Sequence, residues 1–463
     1  MATPVSTTST PLETAGLTVR PGRWIDGWNA EDPAQWESEG RAIAKRNLSW
    51  SVFAEFLGFV IWQLWSIVVV LLPDAGFTLT STQQFWLISV ASLVGATLRF
   101  PYTFMVARFG GRNWTIISAA LLLIPAILLG IVVQNPETPY PVLLVVAALG
   151  GLGGGNFASS MANITFFFPQ REKGWALGLN AAGGNIGAAI AQLIVPIAVT
   201  IGAVGTLNLH LAGFLWVPFI LVSVWGAWKF MDNLSTAKSD FAGAAAALKE
   251  PHLWIMALLY IGTFGSFIGF ASVFPKLIKD QFPEFSTFEV LGAGLSLAFL
   301  GALIGSLTRP YGGKLADRFG GARMTVISFG AMIVATLAVV LTLPLASFWI
   351  FLACFLVLFS ATGVANGATY RMIPAIFAAR GAATAGEEHA VGAQRKGAAA
   401  LGIISALGAY GGFLVPQVLN LSQQTTGGYT SAFYGFIGAY AVLGALTAVI
   451  YLIPRRSLAG RIV

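Results

Sequence analysis

Long apolar stretches recur along the whole sequence, and they constrain the fold more than any other feature. Each runs for roughly 18 to 25 residues, which is long enough to cross about 30 Å of hydrocarbon as a helix. Of the 463 residues, 56% are hydrophobic and only 10% are charged, a composition outside the range of ordinary soluble domains. The sequence therefore predicts an integral membrane protein.

We predict twelve membrane-spanning helices, and this even number places both chain ends on the same side. The predicted spans are residues 50–72, 84–107, 114–133, 142–167, 174–200, 208–230, 252–274, 289–311, 324–344, 347–377, 397–420 and 430–453. The corresponding domains are a cytoplasmic N-terminal segment (1–46), a six-helix bundle (47–231), a central cytoplasmic loop (232–250), a second six-helix bundle (251–454) and a cytoplasmic tail (455–463).

Lysine and arginine residues set the orientation, because cytoplasmic loops hold an excess of them. Of the 26 in the chain, Lys276 and Lys279 fall in predicted outer loops, and Arg99, Arg309 and Arg371 fall within spans. The others lie on the predicted cytoplasmic side, so we expect both termini there. The polar N-terminal segment has no apolar core of a cleaved signal peptide, and is expected to form a short interfacial helix or a mobile tail.

Cysteine and histidine form no metal-binding or catalytic pattern. The single cysteine, Cys354, sits in an apolar span, and His210, His252 and His389 are dispersed along the chain. A metal site or a nucleophilic centre needs several such residues at a fixed spacing. We therefore expect no metal, no cofactor and no enzymatic activity. The net charge of +7 follows from the loop bias and does not indicate nucleic-acid binding.

The sequence repeats itself with an offset of 210 residues, which pairs Arg99 with Arg309 and Arg108 with Arg318. After the loop near residues 378–393 the offset becomes 224. The later matched pairs include Gly178 with Gly402, Gly184 with Gly408 and Gly187 with Gly411. This duplication predicts an all-α protein of two pseudo-symmetric six-helix bundles, and secondary transporters built in this way bind substrate between the halves.

A loop in each half carries a further repeated motif. Residues 312–323 read GGKLADRFGGAR, which is similar to the G-x-L-x-D-R-x-G-x-R signature of the major facilitator superfamily. The first-half counterpart, FMVARFGGR, has Ala107 where the acidic residue stands in the second half. This resemblance implies the major facilitator fold, and the missing acid bears on loop locking more than on substrate choice.

Arg99 and Arg309 lie inside predicted spans, where even lenient scales assign a charged residue a cost of about 2.5–3.5 kcal/mol. Glu55 is expected at the cytoplasmic end of the first span, and the middles of the spans contain no other acidic residue. Two cations without a counter-charge predict an anionic substrate. A planar guanidinium suits a small planar oxyanion, whose oxygens accept paired hydrogen bonds. Arg371, nearer a helix end, is interpreted as interfacial.

Polar residues in the fifth and eleventh spans are further candidates for substrate contact. Asn180, Asn185 and Gln192 recur at roughly helical spacing and predict an amide face towards an internal cavity, although amides also join membrane helices to one another. Ser405 is the candidate on the eleventh span. The glycine-rich segments around these residues favour close helix packing, with or without a role in gating.

Five segments in order resemble the nitrate/nitrite porter family, and most closely its bacterial nitrate/nitrite exchangers. They are RFPYTFMVARFGGR, NFASSMANITFFFP, LGLNAAGGNIG, LYIGTFGSFIGF and LGIISALGAYGGF. The resemblance extends from residue 28 through the twelfth span. It implies a site of two arginines that hold the anion, two rings that flank it, a hydroxyl donor and a signature amide: Arg99, Arg309, Phe157, Phe264, Tyr260 and Asn185.

Charge balance favours exchange of one anion for another, which the resemblance identifies as nitrate for nitrite. Closing the halves around two unpaired arginines would bury uncompensated charge, whereas a bound anion relieves it, and the resemblance implies the same antiport across a bacterial cytoplasmic (inner) membrane. Nitrate/proton symport and transport of another small anion remain alternatives, as do an anion-sensing receptor and a membrane enzyme. The expected partners are nitrate, nitrite and membrane lipid, and the protein is expected to act as a monomer.

Overall fold

The computed structural model describes residues 17–203, 206–238, 241–382 and 387–453. The predicted cytoplasmic tail and the first sixteen residues of the predicted N-terminal segment lie outside these ranges. Within them, long helices joined by short connections account for most of the chain.

Six long helices form the first half. Their bounds are α1 Pro33–Leu71, α2 Ser81–Phe109, α3 Gly111–Val132, α4 Tyr140–Phe167, α5 Gln170–Thr200 and α6 Leu211–Phe230. α1 begins well before the predicted first span, because the Asp32 carboxylate caps its first turn by accepting hydrogen bonds from the Ala34 and Gln35 amides. The basic residues at 41, 45 and 46 therefore lie on the helix and not ahead of it.

The second half follows a short connecting helix. The bounds here are α7 Phe241–Leu248, α8 Pro251–Gln281, α9 Phe299–Phe319, α10 Gly321–Leu345, α11 Phe348–Ala382, α12 Glu387–Ala409, α13 Gly411–Thr426 and α14 Thr430–Leu452. α7 is the connecting helix, and α12 and α13 together contain the apolar span at Ala399–Thr426.

Eleven helical segments of the described chain are long and apolar enough to cross a membrane. α9 completes the predicted twelve, but it starts later than residue 289, and its last turns contain Lys314, Asp317 and Arg318. The predicted start was wrong because residues 288–295 form a hairpin. Its strands are β4 Phe288–Val290 and β5 Ala293–Leu295, and the turn residues between them have positive φ angles of 54° and 76°.

The N-terminal segment folds onto the first half. β1 (Thr18–Arg20) pairs antiparallel with β2 (Trp24–Asp26), and β2 pairs in parallel with β3 (Asn233–Leu234), which follows α6. Neither predicted state of this segment, interfacial helix or mobile tail, describes this sheet. We refer to the end of the molecule that carries it as the sheet face, which the distribution of basic residues predicts to be cytoplasmic.

A buried carboxylate fixes this sheet to α1. Asp232, only 2% exposed, forms ion pairs of 2.7 Å with Arg23 from the turn after β1 and with Arg46 of α1. Asn47 donates a further hydrogen bond of 2.8 Å to the same carboxylate. The segment, the first helix and the end of the first half are therefore joined at one point.

The backbone preserves the predicted duplication. Gly110 and Gly320, in the two FGG motifs, have φ angles of 86° and 93°. Non-glycine residues rarely adopt this region, so each motif needs its glycine to turn from one helix into the next. The 210-residue offset therefore aligns equivalent turns between helices as well as equivalent residues.

Candidate functional site

Arg99 lies at the centre of the molecule and joins the two halves. Its side chain on α2 is fully buried. Nε donates to the Gly154 carbonyl of α4 at 3.0 Å, and Nη1 donates to the Ser405 carbonyl and hydroxyl of α12 at 3.0 and 3.1 Å. Nη2 has no hydrogen-bond partner in the described part of the chain. Predicted as a polar contact, Ser405 thus positions the guanidinium.

Arg309 on α9 is held more loosely. It is 6% exposed, and its Nη2 donates to the Tyr260 hydroxyl at 3.5 Å, the long limit of a hydrogen bond. Its guanidinium carbon lies 5.4 Å from the centre of the Tyr370 ring. Nη1 has no partner among the described residues. Each of the two arginines therefore keeps one free nitrogen, and the two lie within electrostatic range of each other.

Aromatic rings surround Arg99. Phe157 and Phe264 stack on each other with centroids 6.4 Å apart, and the guanidinium carbon of Arg99 lies 4.5 and 5.4 Å from their centres. Trp62 is a third ring at 5.3 Å, and Tyr260 stacks on Phe264 at 5.3 Å. Cation–π contacts of this kind stabilise a desolvated guanidinium. The predicted pair of phenylalanines is thus brought together across the halves.

Sequence reasoning missed two of these rings. Trp62 of α1 and Tyr370 of α11 each lie against a central arginine, but neither falls within the five segments that carry the family resemblance. Among 34 phenylalanines, 14 tryptophans and 10 tyrosines, an aromatic residue in an apolar span gives no signal of its own. The repeat gave no signal either, because its 210-residue offset does not align Trp62 with Phe267, the counterpart that the glycine contacts below identify 205 residues away.

The three amides of α5 have different surroundings. Asn185 is fully buried, and both its amide atoms lack hydrogen-bond partners among the described residues. Asn180 donates to Glu55 and to Ser160 at 2.5 and 2.6 Å. Gln192 donates to the Ala271 carbonyl of α8 at 2.6 Å and so joins the halves. Asn185 is therefore the amide of the three with both polar atoms available to a ligand.

Glu55 corrects one expectation from the sequence. It was placed at the cytoplasmic end of the first span, but because α1 begins at Pro33, the residue lies deep in the helix and is fully buried. Oε2 accepts from Asn180, while Oε1 has no hydrogen-bond partner in the described structure. Both central arginines act on it electrostatically. The expectation that no acid lies near them is therefore wrong.

Glycine contacts reveal what occupies the place of Glu55 in the second half. A Cβ on Gly95 would lie 2.9 Å from Trp62, and one on its match Gly305 would lie 2.5 Å from Phe267. A Cβ on Gly184 would lie 2.5 Å from Glu55, and one on its match Gly408 would lie 2.3 Å from Tyr260. Trp62 and Phe267 are 205 residues apart, as are Glu55 and Tyr260. The equivalent of the buried acid is therefore a phenol.

These glycines also account for the glycine-rich segments. Gly187 approaches the Phe56 carbonyl so closely that a Cβ would lie 2.4 Å from it, and a Cβ on Gly411 would lie 2.2 Å from the backbone of Gly265. The first helix of each half thus packs directly on the backbone of the fifth helix of that half. Close packing explains these positions without a gating role.

Side chains bridge the two halves at the distal face, which carries the loops at 72–80 and 282–298, opposite the sheet face. The bridging pairs are Lys276 with Gln84 at 2.8 Å, Lys279 with Asp74 at 3.1 Å and Gln417 with Ser89 at 2.7 Å. Burial and the Asp280 carboxylate raise the pKa of Tyr429, whose hydroxyl donates to that carboxylate. The halves are therefore in contact at this face.

Arg371 has a different environment from the central arginines. It is exposed, and its Nε lies 2.5 Å from Asp317, the acidic residue of the second-half loop motif. This position agrees with its interpretation as an interfacial residue. The first half has Ala107 at the position equivalent to Asp317, so it has no acidic residue there to form such an ion pair.

Comparisons with known proteins relate most of the chain to transporters. The sequence profile of the Major Facilitator Superfamily matches residues 54–386. The nitrate/nitrite transporter NarU of Escherichia coli (strain K12) is 41% identical over 92% of this chain and 95% of its own length. The probable nitrate/nitrite antiporter NarK2 of Thermus thermophilus is 38% identical over 91% and 94% of the two chains.

Solved structures of distant sequence have the same fold. The xylose transporter XylE from E. coli superposes with a TM-score of 0.61 at 13% identity, covering 88% of this chain and 97% of that one. The nucleoside transporter NupG superposes with a TM-score of 0.59 at 12% identity, covering 88% and 100%.

Proposed function

Because this chain belongs to the Major Facilitator Superfamily and, within it, to the nitrate/nitrite porter family, we propose that it exchanges nitrate for nitrite across a bacterial inner membrane. Its relatives are transporters, and their names describe nitrate and nitrite as the cargo and, for NarK2, antiport as the mode. We assign the same cargo to the cluster of residues around Arg99 and Arg309.

The observation that carries this proposal is the pair of buried arginines with one free nitrogen each. A guanidinium nitrogen without a partner in a desolvated site is costly, and a small planar anion between the two offers oxygens to both. Asn185 adds a free amide donor. The Tyr260 hydroxyl, held near Arg309, adds a donor that turns towards the anion.

The stacked rings of Phe157 and Phe264 provide the flat faces of the site. Two rings that enclose a planar molecule at van der Waals contact need centroids about 7 Å apart, slightly more than the 6.4 Å between them here. An anion that enters between the rings therefore separates them and replaces their mutual contact. Because the rings belong to different halves, this separation links binding to relative movement of the halves.

Charge balance favours exchange over net transport. Among the described residues, each central arginine of the empty site buries a nitrogen without a partner, and a bound nitrate or nitrite accepts from both. The loaded carrier then closes around paired cations, whereas the empty carrier must bury unpaired ones. Contacts at the distal face close that side in this conformation, so we propose that the halves rock about the site to open it in turn.

The position of Glu55 favours one rival, nitrate/proton symport, because an acid within a transport pathway can carry a proton. Uptake of labelled nitrate into proteoliposomes loaded with nitrite, nitrate, chloride or no added anion separates the two. Exchange predicts uptake that needs internal nitrite or nitrate and ignores an imposed pH gradient. Uptake into anion-free vesicles driven by an acidic exterior would overturn obligatory exchange in favour of symport, and uptake that prefers a short carboxylate would overturn the assigned cargo.

A further inference from the structure

We propose that Glu55 is a proton-binding site linked to the anion site, so that a proton binds to its carboxylate when the anion binds. The linkage rests on the proposed function, because it needs the anion to occupy the space between Arg99 and Arg309. It adds a second ligand to the site, the proton, and names the atom that receives it.

The carboxylate has one oxygen that is free to bind a proton. Oε2 is occupied by the Asn180 amide, and that amide also donates to Ser160, whose hydroxyl pairs with Ser51. Oε1 has no hydrogen-bond partner in the described structure. It lies against the backbone of Gly184, and the carboxylate fits there because the glycine has no Cβ, which would lie 2.5 Å from this oxygen. A proton bound at Oε1 therefore displaces no existing hydrogen bond.

The ionised carboxylate depends on the two arginines. Of the described groups, those that act electrostatically on Glu55 are Arg99 from α2, Arg309 from α9 and Tyr370 from α11. The hydrogen-bonding neighbours from α4 and α5 are uncharged. A fully buried carboxylate without compensating charge is strongly disfavoured, so its ionised form relies on these two cations.

An anion between the arginines competes with Glu55 for that positive charge. The bound anion partly neutralises both guanidinium groups and adds a negative charge near the carboxylate, and both effects favour the protonated acid. A proton from the solution then forms an O–H bond at Oε1, so that anion and proton enter together. By linkage the reverse holds as well: protonation of Glu55 strengthens anion binding by the same factor.

The second half has no equivalent of this response, because Tyr260 takes the place of Glu55. A phenol remains protonated across the neutral pH range, so it donates to an anion without changing charge. The two halves of the site therefore differ. Tyr260 stays an uncharged donor, whereas the charge of Glu55 changes when an anion binds.

Titration calorimetry of the purified protein with potassium nitrate, at constant ionic strength between pH 5 and 9, tests the linkage. Runs in two buffers of different ionisation enthalpy at each pH count the protons that accompany binding. We expect up to one proton to be taken up per nitrate. We also expect the nitrate dissociation constant to rise with pH by a total of about 5- to 150-fold, the usual range of coupling between two sites.

Glu55→Gln is the matched variant, because glutamine has the shape of the protonated acid and keeps an oxygen for Asn180. We expect it to bind nitrate with the low-pH affinity of the wild type, without proton uptake and without pH dependence. Glu172→Gln is the control, since Glu172 lies in the first turn of α5, 3.2 Å from Arg41 near the sheet face. It should keep the wild-type pH dependence.

The outcomes separate the linkage from the function on which it rests. Wild-type protein that binds and exchanges nitrate with no proton uptake and a flat pH profile would overturn the linkage and leave exchange intact. A Glu55→Gln profile that still follows the wild type would assign the proton elsewhere, and so would also overturn it. Failure of the wild type to bind nitrate at any pH would overturn the proposed function and the linkage with it.

Discussion

The centres of the two halves have the same backbone but different chemistry. Arg99 and Arg309 occupy matched positions, yet Arg99 makes three hydrogen bonds of 3.0–3.1 Å and Arg309 makes one of 3.5 Å. Beside the first arginine lies a buried acid, Glu55, and beside the second lies Tyr260. Duplication thus preserved the positions of the cations and changed the groups around them.

This difference predicts different roles for the two arginines. The first-half guanidinium is fixed by carbonyl and hydroxyl groups from both halves, so in the proposed site we expect it to give the anion a rigid reference point. The second-half guanidinium has few protein contacts to lose and can adjust to the occupant. Four sets of substitutions test this comparison, three at the two centres and one at the distal face.

Arg99→Lys should have the largest effect. Lysine keeps the charge but loses the planar fork that reaches Gly154 and Ser405, and hydrogen bonds from a charged group are each worth about 1.5–3 kcal/mol. We expect nitrate/nitrite exchange in proteoliposomes to fall by more than about 100-fold. Arg309→Lys should reduce exchange less. Equal losses would mean that contacts with the anion, and not contacts with the protein, determine the role of each arginine.

Gly184→Ala should be the next most damaging, since its methyl group would lie 2.5 Å from the Glu55 carboxylate. Overpacking of this kind costs about 1–3 kcal/mol, measurable as a lower thermal unfolding temperature. Adding Glu55→Asp, which shortens the acid, should restore part of the loss. Gly408→Ala in the second half should be equally damaging but unaffected by Glu55→Asp. If Glu55→Asp restored the stability of both glycine variants, or of neither, that result would contradict the contacts of Gly184 with Glu55 and of Gly408 with Tyr260.

Tyr260→Phe should have a moderate effect. It removes the hydroxyl that accepts from Arg309 and that we propose donates to the anion, while the ring stack on Phe264 remains. A hydrogen bond to a charged group is worth about 1.5–3 kcal/mol, so nitrate affinity should fall by roughly 10- to 150-fold, as measured by calorimetry. The pH dependence assigned to Glu55 should persist. Unchanged affinity would remove Tyr260 from the site.

Lys279→Ala should have the smallest effect. The Lys279–Asp74 pair joins the halves at the distal face but is partly exposed, with side chains 31% and 50% accessible, and such pairs contribute about 0.2–1 kcal/mol. In a Cys354→Ala background, the rate at which a thiol reagent labels a Ser89→Cys probe should rise by less than about 5-fold. Asp74→Ala should match it. A much larger change would make this pair a dominant lock between the halves.

The sequence was sufficient for the architecture and for the central arginines. Apolar stretches of membrane length predict the helices, and the high cost of a charge in lipid singles out Arg99 and Arg309 without any structure. The rings of Phe157 and Phe264 came from family resemblance alone, and their contact with each other and with Arg99 depends on how the halves pack. Composition could not have selected them.

Glu55 was misplaced for a physical reason. The basic residues ahead of it were assigned to the cytoplasmic N-terminal segment, but a helix that begins in solvent carries such residues on its first turns, so the apolar stretch did not mark the start of α1. The N-terminal sheet was missed because β3 lies about two hundred residues from β2, and local patterns carry no information on such a pairing.

The pairing of Trp24 with Asn233 has a consequence for biosynthesis. Ribosomes add roughly 5–20 residues per second, so the hairpin of β1 and β2 waits some tens of seconds for its third strand. The strand emerges only after all six helices of the first half have been made. A truncated chain ending before residue 233 lacks β3, whereas one ending at residue 238 contains it and can pair it with β2. The sheet therefore needs only the first half of the chain in order to form.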